Sequence, residues 1–197
     1  HFVIATKYSL RDRMGDLNFA GNHRKNLMRS VKESLWRLNT DYIDVLWLHI
    51  WDSWTPTEEI LKGLNDLISR GMVHYIGISD TPAWIVSQAN TMAELRGWSQ
   101  FIGLQIEYSL IQRTVEAEFF PMAKSYGMTI TPWAPLAGGA LTGKYLKGDK
   151  GRLVETSVRL GERATAITKK VIEVADRLGV SASQLAINWT RQHKNQS

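Results

Sequence analysis

Apolar residues in this chain gather into five short runs, over residues 2–7, 42–49, 74–79, 101–105 and 128–133, each followed by a polar loop and a stretch with helical spacing. Near-continuous apolar runs, rather than strict alternation, mark strands covered on both faces, as in a parallel sheet flanked by helices. The pattern predicts an α/β protein of the (β/α)8 TIM barrel type, with about five of the eight β/α units present. The C-terminal strand ends of such a barrel point to one rim, which would bring Lys7, His49, Ser79, Gln105 and Trp133 together. Between the runs, 24–39 sets Leu27, Val31, Leu35 and Leu38 on one helical face, and 58–70 does the same with Leu61, Leu64 and Ile68. Over 166–178 the matching set is Ile167, Val171, Val174 and Leu178. Thr55-Pro56-Thr57-Glu58 predicts a helix start with Thr55 as N-cap in a capping box, and residues 181–184 predict another. Gly71, Gly127 and Gly179 stand where a helix ends in a left-handed residue. No strand pattern separates the last two helices, so one of them is an added or paired helix.

The expectation is therefore one partial barrel domain over 1–197, an interior portion of a larger barrel that opens inside a strand and stops after a helix. Its open strand edges would favour self-association. Composition agrees with a packed domain: 44% apolar, 22% charged and 10% aromatic residues are ordinary globular usage. No run is long enough to cross a bilayer and the N-terminal run lacks the flank of a signal peptide, so a cytoplasmic protein is expected. The absence of cysteine excludes disulfides and thiolate metal sites, and the histidines and carboxylates show no metal-ligand spacing. The net charge of +5 is spread over helix faces and loops rather than massed in a stripe, which argues against nucleic acid and for a small anionic ligand.

Ala5-Thr6-Lys7, Asp41-Tyr42-Ile43-Asp44 leading into Leu48-His49-Ile50-Trp51-Asp52, Tyr75-Ile76-Gly77-Ile78-Ser79, Gln105-Ile106-Glu107-Tyr108-Ser109, and 131–145 with its Thr-Pro-Trp-Ala-Pro-Leu-Ala-Gly-Gly start occur in one order at predicted strand ends. Together they resemble the aldo-keto reductases, closest in pattern to the bacterial members that also resemble the β subunits of voltage-gated potassium channels. The resemblance implies an NADPH-dependent reductase of aldehydes or ketones with a catalytic tetrad of Asp, Tyr, Lys and His. Lys7 would be the tetrad lysine, whose ammonium favours the phenolate of the proton-donating tyrosine. His49 would be the histidine that orients the substrate carbonyl. The tyrosine and aspartate belong to family segments that precede Lys7. Tyr8 does not replace the tyrosine, because alternation along a strand turns it to the other face.

Carried over in the same way, Ser79, Asp80 and Gln105 would hold the nicotinamide carboxamide, with Asp80 in place of the usual asparagine. An ionised aspartate accepts from an amide but cannot donate to it. Trp133 would stack on the nicotinamide ring. The segment Ala134, Pro135, Leu136, Ala137 and Gly138 would bring its backbone to the pyrophosphate, and Lys144 would add a cation. Ala134 stands where a serine is common. Trp51 and Trp54 would line the substrate pocket, which suits an aromatic or apolar carbonyl compound. Taken singly, each residue has a plainer explanation: an edge cation for Lys7, a satisfied core histidine for His49, packing for the tryptophans, a turn for the glycine-rich loop. Only their order raises the functional reading above these. The rival functions are a slow nucleotide-sensing regulatory subunit and an inactive truncated fragment.

Overall fold

The computed structural model describes residues 2–154 and 156–193. Five strands, β1 (Ala5–Tyr8), β2 (Ile43–Leu48), β3 (Val73–Ser79), β4 (Phe101–Glu107) and β5 (Thr129–Trp133), form a parallel sheet in the order β1-β2-β3-β4-β5. The helices are α1 (Arg24–Leu38), α2 (Thr57–Ser69), α3 (Ala83–Arg96), α4 (Phe119–Ser125), α5 (Glu162–Leu178) and α6 (Ala182–His193). Strand–helix alternation up to β5 is the architecture expected of part of a (β/α)8 barrel. As expected, α6 follows α5 in sequence order without a strand between them: Gly179, in the left-handed conformation, ends the first and residues 180–181 lead directly into the second.

Two compact units make up the chain. The first is His1–Gln105 with Met122–Thr129, and the second is Ile106–Pro121 with Ile130–Ser197. In the first unit the register sets Lys7 beside Trp47, Trp47 beside Gly77 and Gly77 beside Gly103, so one row of side chains crosses four strands on the same face. The opposite face carries Leu46, Leu48, Ile76, Ile78 and Leu104, all at most 1% exposed. Leu27 and Val31 of α1, and Ile60, Leu61, Leu64 and Leu67 of α2, are buried to the same degree. Each such aliphatic side chain contributes about 1.5–3 kcal/mol on burial. Between Ile76 and Gly77 the register with β4 slips by one residue, a bulge that leaves Ile102 45% exposed. Buried Asn90 of α3 clamps the start of β4: its Nδ2 donates to Phe101 O at 3.1 Å and its Oδ1 accepts from Phe101 N at 2.9 Å.

Four local expectations are corrected. Phe2 and Val3 lie outside β1 and are 89% and 77% exposed rather than buried. On α1 the apolar face stays buried only for its first turns, and Leu38 is 42% exposed. Thr55 does not cap α2; Pro56 is the N-cap, without a side-chain bond, because the Thr55 hydroxyl donates to Asp52 Oδ2 at 2.8 Å. On α5 the inward residues are Ala164, Thr168, Val171 and Ala175, whereas Leu178 is 62% exposed. Small residues let this helix approach the turn Ala137–Thr142 closely, and a Cβ on Gly143 would meet Ile172 at 2.6 Å. The predicted capping box at 181–184 is present, with Ser181 Oγ accepting from Gln184 N at 3.1 Å and Gln184 Oε1 from Ser181 N at 2.9 Å.

The second unit packs Ala137, Ala140, Leu141, Val171 and Ala186 into its core. Tyr108, fully buried, lies edge-on to Phe120 and tilted against Trp189, and its hydroxyl donates to Glu116 Oε1 at 2.7 Å. No helix among the described residues is long and apolar enough to cross a membrane.

Candidate active site

In the first unit the residues at the C-terminal strand ends share the face of the Trp47 row. His49 lies two residues beyond Trp47 and Ser79 two beyond Gly77, and Ser79 is in register with Gln105. His49 extends the ladder past the end of β2, its amide donating to Tyr8 O at 3.0 Å. Trp47 lies flat beneath this rim because its neighbours have no side chain: a Cβ on Gly77 would come within 2.4 Å of the indole, and one on Gly103 within 2.9 Å.

Lys7 Nζ donates to Gln105 Oε1, a bond across 98 residues of sequence that joins the expected catalytic lysine to an expected cofactor ligand. Burial holds the Lys7 ammonium below the usual lysine range, against the opposing pull of the Asp80 carboxylate. His49, half-buried, is also held below its ordinary value, first by burial and then by the Lys7 charge, with Asp80 again opposing. Asp80 takes a left-handed backbone (φ 41°) that Asp tolerates better than most residues, and its amide donates to Gln105 O at 3.3 Å. Ser79 is 1% exposed, and its hydroxyl has no hydrogen-bond partner among the described residues. An orphaned buried hydroxyl is rare and calls for a ligand or a water.

Tyr8 points away from this face, as expected of the residue after Lys7. Thr6, on the same side as Tyr8, has its hydroxyl 3.4 Å from Ser34 Oγ of α1. The Tyr8 phenol is buried, and burial followed by the nearby Asp52 carboxylate pushes its pKa up, so it stays protonated. Of the two pocket tryptophans, Trp51 is half-buried, whereas Trp54 is 90% exposed and does not line a cavity within this unit. Its backbone is turned outward where the amides of Trp54 and Thr55 both donate to Asp52 Oδ1 at 2.9 Å, next to Ser53 in the left-handed region.

In the second unit, Trp133 ends β5, and its carbonyl accepts from the Tyr108 amide at 3.2 Å. Beyond it Ala134, Ala137, Gly138 and Gly139 all have positive φ, and the Gly139 and Leu141 amides donate to Leu136 O at 2.9 and 3.3 Å. The Ala137 amide is used inside the loop, donating to Ala134 O at 2.8 Å. Pro135 has no amide hydrogen to offer. Lys144 leads the next turn, with its Nζ 5.0 Å from the Tyr145 ring centroid. Two residues absent from the sequence-based site organise this loop. The Tyr145 hydroxyl donates to Gly138 O at 3.2 Å and accepts from Leu153 N at 3.0 Å. Arg159 pairs with Glu107 at 2.5 Å and lies over the Trp133 ring, 5.9 Å from its centroid. Arg159 acts across 52 residues, a separation that carries no local signal. Among the described residues no group of three or more His, Asp or Glu side chains could hold a metal ion.

In the first unit a lysine, a histidine and an orphaned serine share one face of adjacent parallel strand ends, and in the second a glycine-rich loop follows β5. The sequence matches the Aldo/keto reductase family over residues 1–197, and the chain belongs to that family. It is 35% identical over 96% of its length to a Saccharomyces cerevisiae protein named "Putative aryl-alcohol dehydrogenase AAD10", of which it spans 70%. It is 36% identical over 95% of its length to norsolorinic acid reductase stcV of Emericella nidulans, spanning 49% of that protein. To versiconal hemiacetal acetate reductase of Aspergillus parasiticus it is 37% identical over 94% of its length, spanning 56%. The chain thus spans about half to 70% of the curated relatives it matches.

Proposed function

We propose that the protein is an NADPH-dependent carbonyl reductase acting on aromatic aldehydes or ketones in the cytoplasm. The observation that carries this reading is the rim of the first unit, where Lys7, His49, Ser79 and Gln105 share one face and the Ser79 hydroxyl lacks a partner. That hydroxyl fits a carboxamide, which both donates and accepts, so Ser79, with Gln105 and Asp80, would hold the nicotinamide amide. In the second unit Trp133, the backbone of Ala134, Leu136 and Gly138, and Lys144 are the residues assigned to the same cofactor. When bound, NADPH would supply the hydride, and the proton would come from the tyrosine that the family resemblance places before Lys7. His49, kept neutral near pH 7 by burial and by Lys7, offers a ring N–H to the substrate oxygen without a net charge. Lys7 supplies the fixed positive field at the site of developing oxyanion charge. Tyr8 has no part in this, since it faces α1 and its phenol stays protonated. Half-buried Trp51, two residues past His49, supplies the apolar wall, in keeping with the aryl alcohol in a relative's name.

The test is steady-state oxidation of NADPH by the purified full-length protein, carrying the segments that supply the tetrad tyrosine and aspartate, in the presence of an aromatic aldehyde. Substrate-dependent oxidation is expected, with Lys7→Met lowering kcat by about 100-fold or more. Tight NADPH binding without turnover would favour a nucleotide-sensing subunit, and a fully active Lys7→Met variant would contradict the role given to Lys7.

A further inference from the structure

The segment after His49 is fastened by a set of buried polar side chains that the rim chemistry does not use. Asn22, fully buried, and Asp52 hold each other reciprocally: Asn22 N donates to Asp52 Oδ2 at 2.7 Å, and Asp52 N donates to Asn22 Oδ1 at 2.8 Å. Asn22 Nδ2 also donates to Ile50 O at 2.9 Å. Ser9, 4% exposed, brackets the same residue, its Oγ donating to Ile50 O at 3.2 Å and accepting from Ile50 N at 3.1 Å. Asp52 further accepts from the amides of Trp54 and Thr55 and from the Thr55 hydroxyl. Burial pushes the Asp52 carboxyl up, but these donors outweigh it and hold it below the usual carboxylate range, so it is a fixed anion.

Backbone geometry is given up to make this fit. Ser9 sits at φ 108°, a conformation that glycine adopts and other residues avoid, and its carbonyl accepts from Gly21 N at 2.8 Å. Gly21 itself has φ 84°, and a Cβ there would lie 3.0 Å from Asp52 Oδ2. Asn26, fully buried, closes the base by donating to Gly21 O at 2.8 Å. A buried polar network of this kind fixes one arrangement of its members, where apolar packing alone would tolerate several. Local strain that survives because its surroundings over-determine it belongs to sites whose geometry matters.

We propose that Ser9, Asn22 and Asp52 are positioning residues that hold His49 and Trp51 in place on the rim by clamping Ile50, the residue between them. The proposal rests on the reductase reading for its consequence but not for its geometry. The groups facing His49 are Lys7 from β1 and Asp80 from the end of β3, so loosening the clamp lets the imidazole move away from Lys7 and toward water.

The experiment compares the chain with Asn22→Ala and Ser9→Gly, the latter removing both Ile50 bonds while suiting the backbone better than serine. The His49 imidazole is titrated by proton–nitrogen NMR, its signals assigned with His49→Gln, and NADPH affinity and aldehyde reduction are measured alongside. The expected result is an upward move of the His49 midpoint in both variants, with kcat down about 100-fold and the NADPH Kd within about twofold of the parent. An unchanged His49 midpoint in folded variants overturns the proposal. If Asn22→Ala does not fold, Ser9→Gly decides. A parent chain without turnover counts against the reductase reading alone, since the His49 midpoint still reports the clamp.

Discussion

His49 shows how one side chain's surroundings set what it can do. Flanked by Lys7 and withdrawn from water, it is harder to protonate in the folded protein than in the unfolded chain, whose histidine titrates at the ordinary 6.5. The sign follows from linkage: as pH falls, the unfolded state takes up the proton first, so folding stability from this group is complete above 6.5 and is lost from there down through the folded midpoint. Urea unfolding between about pH 7.5 and about pH 5 should therefore show a steeper loss of stability for the parent than for His49→Gln. Equal losses would mean that His49 is not perturbed. That this residue, Lys7, Ser79 and Gln105 stand at strand ends was legible in the sequence, because each ends an apolar run and the C-terminal ends of parallel barrel strands are expected at one rim. The Lys7–Gln105 bond and the Asn22–Asp52 clamp were not, since they join residues 98 and 30 positions apart with no periodic signal between them. Trp54, expected to line the pocket, is 90% exposed in the first unit, its amide held by Asp52.

At the scale of elements, periodicity located every strand and helix expected, but it did not measure depth. On α5 the expected face holds in part: Val171 is buried and Ile167 packs against the same core, but the small Ala164, Thr168 and Ala175 share that face and Leu178 lies outside it. On α2 a capping-box sequence was present, but the stronger anion at Asp52 took the threonine hydroxyl first. In the sheet, Gly77 of β3 and Gly103 of β4 leave the space that Trp47 fills. Gly77→Ala is accordingly expected to cost about 1–3 kcal/mol in chemical denaturation, since the new methyl overlaps the indole. A paired Trp47→Leu change should recover part of that loss, and strictly additive effects would show that the two residues are not in contact.

For the whole molecule, the parallel order of the strands and the family match agree on an aldo/keto reductase architecture. The central claim is that the rim of the first unit is a nicotinamide site. The most direct test is a calorimetric titration of NADPH into the purified chain and into a Ser79→Ala, Gln105→Ala double variant. Saturable binding at one site, weakened about tenfold or more in the variant through loss of the carboxamide contacts, is the predicted result. Binding of equal strength in both proteins, or no binding to the parent, would contradict it.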